Sequence, residues 1–231
     1  MQLIPAAIEG IVSQAGQGTG QHEVSGGEAA GHTCERERQV QQLLARHGLM
    51  PLAGKRILEV GCGTGKWLRD FLAWGAEPGQ LFGVELVEGS AARARRLCPP
   101  GVTIECGNAS QLRFSSHSFD IVLQAGLFSS LLEQDTKIAI AAEMLRVVRP
   151  TGVILWYDAL LTSPDNPYVQ PISRNEICRL FPGCSIELQR ITLAGPLARF
   201  LAPRSPRVCA LLSRLSPLCT HYLGALRPNS R

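Results

Sequence analysis

Short apolar runs and longer amphipathic segments alternate along the middle of the chain. Five runs have the length of strands, at residues 56–60, 81–85, 102–106, 118–123 and 153–158. Between them, residues 66–74, 88–97 and 133–148 have apolar side chains at the three- and four-residue spacing of helices. Because runs that are apolar throughout are typical of strands buried on both faces, the alternation predicts a parallel sheet with helices on each side.

The two ends of the chain follow other patterns. Residues 34–47 and 173–180 predict helices, residues 185–194 and 220–226 predict two more strands, and residues 195–218 form an insert rich in Pro, Leu and Arg. Within the first of these helices, the charged run 35–38 is expected to face solvent. Residues 1–33 contain many Gly, Gln, Ala and Ser without a sustained period, which predicts either a flexible tail or a lid.

The first apolar run ends in alternating glycines. Gly61, Gly63 and Gly65 follow Val60, and a helical pattern begins directly after them at Lys66. In a strand–turn–helix unit, glycines allow the backbone to approach a nucleotide-like ligand, because a side chain there would collide with it. Their spacing differs from the G-x-G-x-x-G pattern of dinucleotide-binding proteins, which disfavours an NAD-linked oxidoreductase.

Polar residues follow the next predicted strands. Glu85 ends the second run about twenty residues after the glycines, where a carboxylate can accept hydrogen bonds from both hydroxyls of a ribose. Asn108 follows the third run, and Gln124 is expected to open the loop after the fourth. The carboxyl ends of parallel strands lie at one edge of a sheet, so these side chains are predicted to surround one ligand.

The motif E-x-G-x-G-x-G at Glu59–Gly65 resembles the first motif of class I S-adenosylmethionine (SAM) dependent methyltransferases. The run from Arg56 to Asp158 resembles the methyltransferase type 11 group, which includes ubiquinone and menaquinone biosynthesis enzymes. The resemblance implies an α/β fold: a Rossmann-like, doubly wound, seven-stranded sheet in the order 3-2-1-4-5-7-6, with the last strand antiparallel, inside a three-layer α/β/α sandwich. It also implies SAM as cofactor, S-adenosyl-L-homocysteine as product, and no metal.

By this resemblance, Glu59 faces the cofactor's ammonium group, Glu85 binds the ribose, and Gln124 lies near the methionine end. A structural role remains an alternative for Glu59 and Gln124. Asn108 departs from the commoner aspartate, but its side-chain oxygen can accept from the adenine amino group while the Ala109 amide donates to the ring. The full set of expected cofactor-binding residues is Glu59, Gly61, Cys62, Gly63, Gly65, Glu85, Leu86, Asn108, Ala109 and Gln124.

Candidate catalytic residues lie at the predicted ligand edge. Tyr157 and Asp158 end the fifth run, and His221 begins the last strand. Asp158 can orient or deprotonate a hydroxyl, and His221 has a suitable intrinsic pKa for a general base near neutral pH. Two alternatives stay open: a structural role for the histidine, and a reaction that needs no general base.

Charge narrows the range of partners. With 231 residues and a net charge of +4, the chain as a whole gives no case for nucleic acid. Nevertheless, no acidic residue follows Glu187, whereas seven arginines do. With its interleaved apolar residues, the insert 195–218 is a candidate substrate cap for an anionic acceptor or for peripheral membrane contact, and a solvated basic rim is the alternative. The seven arginines are Arg190, Arg199, Arg204, Arg207, Arg214, Arg227 and Arg231.

The remaining features predict a cytoplasmic protein, monomeric or homodimeric. No run of about 18 apolar residues predicts a membrane-spanning helix, and no signal peptide is recognisable. The eight cysteines include no C-x-x-C pair and lie mostly in apolar segments, which predicts reduced thiols in the core. We divide the chain into residues 1–33 and a methyltransferase domain, 34–231.

The sequence favours a methyltransferase for small molecules, acting on oxygen in preference to nitrogen or carbon. The alternatives are an RNA or protein methyltransferase and a non-catalytic SAM-binding subunit. Against the first stands the sequence Gln124–Leu127 after the fourth strand, where amide- and base-methylating enzymes have Asn-Pro-Pro-Tyr or a similar motif.

Overall fold

A computed structural model describes residues 30–162, 169–193 and 216–229. Its seven strands form one sheet in the order β3-β2-β1-β4-β5-β7-β6. The strands are β1 (Ile57–Val60), β2 (Leu81–Glu85), β3 (Thr103–Cys106), β4 (Phe119–Ala125), β5 (Val148–Ala159), β6 (Cys184–Leu193) and β7 (Cys219–Pro228). The α-helices of the described ranges are α1 (Ala30–Arg46), α2 (Lys66–Ala73), α3 (Glu88–Leu97), α4 (Gln134–Val147) and α5 (Arg174–Leu180).

The topology confirms the predicted fold. Strands β1 to β5 pair in parallel, whereas β7 is antiparallel to both of its neighbours, β5 and β6. Parallel neighbours require crossover connections, and the helices between the strands provide them. The carboxyl ends of β1 to β5 therefore lie at one edge of the sheet, together with the end of β6 and the start of β7.

Helices cover both faces of the sheet. One face packs against α1, α2 and α3, with Val40, Leu43 and Leu44 of α1 fully buried. The other face packs against α4 and α5, with Met144 and Ile177 fully buried. Two separate apolar cores on opposite faces of one sheet are the three-layer arrangement that the sequence predicts.

Three element boundaries differ from the sequence-based prediction. Helix α1 begins at Ala30 rather than at residue 34, so the predicted tail overlaps its first residues. Gln124 belongs to β4, where it pairs with Trp156, and does not open the following loop. Strand β5 begins at Val148 rather than at residue 153, and it runs through Pro150. The register shift opposite Asp120 gives the irregular pairing in which a strand tolerates proline.

The cysteine prediction is correct in part. Seven cysteines lie in the described ranges, and the six whose side chains are described, all except Cys34, are free thiols. Cys62, Cys98 and Cys219 are buried, but Cys106 and Cys178 are exposed. Exposure of Cys106 follows from its position at the end of β3, which is an edge strand of the sheet.

The predictions for the tail and the insert concern residues that lie mostly outside the described ranges. Apart from residues 30–33 and 216–218, the proposed tail 1–33 and the insert 195–218 lie outside the described residues, as do Arg199, Arg204, Arg207 and Arg214. Within the described ranges, no helix combines the length and the apolar character needed to cross a bilayer.

Candidate active site

The glycine turn connects β1 to α2 at the carboxyl edge of the sheet. Gly61, Gly63 and Gly65 have φ angles of 72°, 52° and 73°, in the left-handed region that favours glycine. The amide of Gly61 donates to the Val84 carbonyl at 2.8 Å, which ties the turn to β2. The Cys62 side chain points into the core, since its Sγ lies 2.8 Å from where a Cβ on Gly83 would stand; only the backbone of Cys62 belongs to the turn.

The three glycines differ in what a side chain would meet. A Cβ on Gly61 would lie 3.1 Å from Cδ1 of Leu127, and a Cβ on Gly65 would lie 2.8 Å from Sγ of Cys98. A Cβ on Gly63 would meet no atom of the described residues within 4 Å. Gly61 and Gly65 are therefore constrained by protein packing, whereas Gly63 faces open space at the position where the backbone would contact a ligand.

Backbone amides orient the carboxylate of Glu85. Its Oε2 accepts from the Gly63 amide at 2.9 Å, and its Oε1 accepts from the Val87 amide at 3.0 Å. Each carboxylate oxygen can accept more than one hydrogen bond, so both can still accept from a ligand. The geometry suits a pair of vicinal hydroxyls above the glycine turn.

Glu59 is a buried carboxylate with an unpaired oxygen. Its exposed fraction is 2%, and Oε2 has no hydrogen-bond partner among residues 30–162, 169–193 and 216–229. Burial, reinforced by the nearby charges of Asp70 and Glu85, raises the pKa of Glu59 well above its usual range. A buried acceptor without a donor is costly, so a cationic N–H donor at this point would stabilise the ionised form.

The predicted adenine-side residues lie on the rim of the same edge. Asn108 is exposed, and its Oδ1 accepts from both the amide and the hydroxyl of Ser110, each at 2.9 Å. A contact from Oδ1 to adenine would require the Ser110 hydroxyl to turn away. Leu86 is 45% exposed, and Ala109 is partly buried against the core behind the edge.

Gln124 bonds only to backbone groups. The side chain is fully buried; its Oε1 accepts from the Leu127 amide at 3.1 Å, and its Nε2 donates to the Tyr157 carbonyl at 3.5 Å. This geometry favours the structural alternative, in which the amide braces the loop that follows β4.

The carboxylate of Asp158 also forms hydrogen bonds with backbone groups. It is fully buried, and its carboxylate accepts from the amides of Phe128, Ser129 and Ala159 at 3.1, 3.2 and 2.8 Å. Burial outweighs these bonds and raises the pKa of Asp158 to about 6. A carboxylate with this surrounding does not reach an acceptor directly, so the geometry favours positioning over the proton transfer expected from the sequence.

Tyr157 and His221 are brought together on neighbouring strands. Their rings stack with centroids 4.9 Å apart and planes 6° from parallel. The Tyr157 hydroxyl lies 3.0 Å from Oγ1 of Thr192, and Nδ1 of His221 lies 2.9 Å from Oγ1 of Thr220. Burial raises the pKa of Tyr157, so its phenol is neutral near pH 7 and can donate a hydrogen bond.

Arg36 joins this group, contrary to the prediction that the run 35–38 faces solvent. Its guanidinium carbon lies 4.7 Å from the Trp67 ring centroid and 5.8 Å from that of Tyr157. Its Nη2 lies 3.4 Å from Oδ2 of Asp70, and its Nε is buried with no partner in the part of the chain that the structure describes. The sequence contains the signal that was missed, because position 36 lies four residues before Val40 on the buried stripe of α1.

We call Arg36, Trp67, Tyr157 and His221 the aromatic–arginine cluster. Trp67 lies in the first turn of α2, directly after the glycine turn, and its exposed fraction is 6%. Its ring centroid lies 5.4 Å from that of Tyr157. The cluster therefore borders the glycine turn on the side toward β5 and β7, while Glu85 borders it on the side of β2.

A nucleotide-type turn, an oriented carboxylate after β2 and an antiparallel seventh strand are together the arrangement of class I SAM-dependent methyltransferases. In agreement, residues 57–152 match the family described as "Methyltransferase domain". The match covers less than half of the 231 residues; it supports a SAM-dependent methyltransferase and implies SAM as the cofactor.

Similar proteins agree with this class. Over 114 residues, the chain is 35% identical to phthiotriol/phenolphthiotriol dimycocerosates methyltransferase 1 of Mycobacterium ulcerans, covering 46% of this chain and 38% of that protein. It is 29% identical over 111 residues to demethylmenaquinone methyltransferase of Symbiobacterium thermophilum, covering 46% and 43%. The match thus spans less than half the length of either relative.

Solved structures share the fold. A putative sarcosine dimethylglycine methyltransferase from Galdieria sulphuraria superposes with a TM-score of 0.61 and 13% identity, covering 85% of this chain and 86% of that one. A SAM-dependent methyltransferase from Mesorhizobium loti superposes with a TM-score of 0.57 and 19% identity, covering 79% and 96%.

The described residues fit SAM. The open side of Gly63 leaves room for the ligand, the carboxylate of Glu85 is oriented for ribose hydroxyls, and the unpaired oxygen of Glu59 lacks the donor that an ammonium would supply. The three features lie at one edge of one sheet.

Proposed function

We propose that the protein transfers the methyl group of SAM to a small-molecule acceptor, with oxygen as the acceptor atom. The observation that supports this most is the convergence of an open Gly63, an oriented Glu85 and an unpaired Glu59 oxygen at the carboxyl edge. When bound, SAM supplies a methyl group on a positively charged sulfur. The chain's own residues have to hold the cofactor and align the acceptor, which can account for much of the acceleration.

The amino-acid end of the cofactor would lie between two groups of opposite charge. Glu59 would accept from its ammonium, and Arg36 would bind its carboxylate through the unpaired Nε. Among the cations near the turn, Lys66 is already paired with both oxygens of Asp70, and Arg69 donates to the Thr64 carbonyl at 2.7 Å. Arg36 also contacts Asp70, but only through Nη2 and at 3.4 Å, so its Nε remains a donor for a new anion.

The acceptor would enter beside Tyr157 and His221. The neutral phenol of Tyr157 can orient an acceptor oxygen, and His221 can take up its proton. Exposed leucines follow the carboxyl ends of β2, β4 and β5: Leu86, Leu132 and Leu161, at 45%, 56% and 48% exposure. An apolar rim suits a lipid-like or quinone-like acceptor, in keeping with the phthiotriol dimycocerosates and demethylmenaquinone in the names of the two relatives.

Two further parts of the chain complete the proposal. The insert 195–218 begins and ends at this edge, because Leu193 of β6 pairs with Cys219 of β7, and we assign it as the acceptor cap. We assign residues 1–33 as a tail or lid joined to α1. The protein would act in the cytoplasm as a monomer or homodimer, without nucleic acid.

The test is calorimetric titration with S-adenosyl-L-homocysteine, followed by transfer of labelled methyl from SAM to phenols, quinols and hydroxylated lipids. We expect micromolar binding by the parent and none by Gly63→Val, because the side chain fills ligand space. Gly54→Val is the matched control: Gly54 also has a positive φ and no neighbour within 4 Å, but it precedes β1 at the opposite edge.

Both valine variants should lose about 1–2 kcal/mol of stability through backbone strain. Only Gly63→Val should lose the ligand. Undiminished binding by Gly63→Val would refute the cofactor site, and cofactor binding without transfer to any acceptor would favour the non-catalytic subunit.

A further inference from the structure

The loop after β4, residues 126–130, is fastened to β5 by a buried carboxylate. Oδ2 of Asp158 accepts from the amides of Phe128 and Ser129 at 3.1 and 3.2 Å. Phe128 and Ser129 are themselves buried, at 0% and 3% exposure. The fastening point is therefore inaccessible to water, and no solvent molecule can replace the carboxylate without a rearrangement of the loop.

Two more bonds hold the start of this loop. The Gly126 amide donates to the Tyr157 carbonyl at 2.9 Å, and the Leu127 amide donates to Oε1 of Gln124 at 3.1 Å. Leu127 then packs on the glycine turn, with its Cδ1 3.1 Å from where a Cβ on Gly61 would stand. The contacts are continuous from Asp158 through the loop to the turn that faces the cofactor.

We propose that Asp158 is a positioning residue for the cofactor: its ionised carboxylate holds residues 126–130 so that Leu127 closes one side of the glycine turn. The inference rests on the proposed cofactor site. It replaces the proton-transfer role expected from the sequence, because the carboxylate is fully buried and accepts from backbone amides.

The charge of Asp158 would then couple cofactor binding to pH. Among the described residues, its titratable neighbours are Tyr157 on its own strand, Tyr222 opposite it on β7, and His221 one position further along. The loop itself contributes the Ser129 hydroxyl and no charged residue. Burial raises the pKa of Asp158 to about 6. Below that pH one carboxyl oxygen bears a proton, and it no longer accepts freely from the loop amides.

The experiment compares the parent with Asp158→Asn by calorimetry with S-adenosyl-L-homocysteine. At about pH 8 we expect about tenfold weaker binding by the variant, the scale of one lost hydrogen bond to a charged group. At about pH 5 the two affinities should converge, because the protonated acid resembles the amide. Both proteins contain Glu59 and His221. The ratio of the two affinities at each pH therefore removes any pH dependence that these two residues cause.

Asp120→Asn is the matched control. Asp120 lies near the opposite end of β4, where its carboxylate accepts from the Arg56 amide at 2.9 Å and pairs with Arg149 at 2.6 Å. This variant should lose stability but keep its affinity for the ligand. An equal loss of affinity in both variants would show that the effect is general destabilisation, and would overturn the proposal.

Unchanged affinity of Asp158→Asn at about pH 8, or a ratio that does not vary with pH, would also overturn it. If Asp158→Asn does not fold, Ser129→Ala provides a second test, because the Ser129 hydroxyl favours the charged carboxylate. Its removal should move the midpoint of the pH dependence upward, and an unmoved midpoint would contradict the role. Failure of the parent to bind the ligand at any pH would instead refute the proposed function.

Discussion

Glu85 and Asp158 are both carboxylates at the ligand edge, but their hydrogen-bond partners differ, and so do the roles that we propose for them. Glu85 keeps accepting capacity above the glycine turn, because it is half-buried and takes one amide on each oxygen. Asp158 is fully buried and takes three amides, so it serves the loop. The degree of burial and the number of amide donors thus distinguish Glu85, which can still bind a ligand, from Asp158, which positions the loop.

Glu85→Ala should weaken binding of S-adenosyl-L-homocysteine by about 1.5–3 kcal/mol, because charge-assisted bonds to the ribose are lost. Calorimetry measures the change. Glu88→Ala is the control, since Glu88 lies three residues further on, is exposed, and pairs with Arg95 on the surface. If Glu85→Ala binds as tightly as the parent, the ribose is held by other groups.

Arg36→Gln should weaken binding of S-adenosyl-L-homocysteine about ten- to hundredfold and leave binding of 5′-methylthioadenosine nearly unchanged. The second ligand lacks the amino-acid end, so the comparison isolates the carboxylate that Arg36 is proposed to bind. Arg46→Gln, on the same helix, is the control; Arg46 pairs with Glu187 on the surface and should affect neither ligand. Equal losses for both ligands would assign Arg36 a packing role on Trp67.

At the scale of elements, the proposed cap connects β6 to β7, whereas the cofactor site is formed by other strands of the sheet. Leu193 and Cys219 are register partners, so the chain leaves and re-enters the sheet at adjacent positions. A short hairpin loop can join strands at this spacing. The sheet therefore does not require the insert for closure.

Replacing residues 195–218 with a Gly-Ser linker of about five residues should leave affinity for S-adenosyl-L-homocysteine within about twofold, because the glycine turn and Glu85 lie on other strands. Methyl transfer should fall at least about a hundredfold, since the acceptor is no longer aligned or shielded from water. Isothermal titration and labelled-methyl transfer measure the two effects. Loss of cofactor affinity in the linker variant would show that the segment belongs to the core fold.

At the scale of the whole molecule, buried acids make stability depend on pH. The pKa of Asp158 is about 6 in the folded state, against an ordinary value of 3.8. Below about pH 4, Asp158 is protonated in both the folded and the unfolded state. Between about pH 4 and 6, Asp158 is ionised in the unfolded chain but still protonated in the folded protein. The free energy of unfolding therefore decreases as the pH rises through this range.

The free energy of unfolding of the parent, relative to that of Asp158→Asn, should therefore decrease by up to about 3 kcal/mol from pH 4 to pH 6, and stay level above that. Urea denaturation of both proteins at several pH values measures the difference. A constant difference across this range would mean that Asp158 has an ordinary pKa in the folded state.

The sequence by itself determined the alternation of strands and helices, the glycine turn and the position of Glu85, because each depends on a local period or on residues close together in the chain. With the family resemblance, it also predicted the strand order and SAM. It placed Arg36 in solvent, since the charge of the run 35–38 was given more weight than the position of residue 36, four residues before Val40 on the buried stripe.

Only the tertiary structure decided what the buried polar groups contact. Gln124 and Asp158 are 34 residues apart in sequence, and both are engaged by backbone around the loop that follows β4. The stack of Tyr157 on His221 and the approach of Arg36 to Trp67 join four different elements. Such contacts depend on strand register and helix packing over long chain separations, and no local pattern of residue types specifies them.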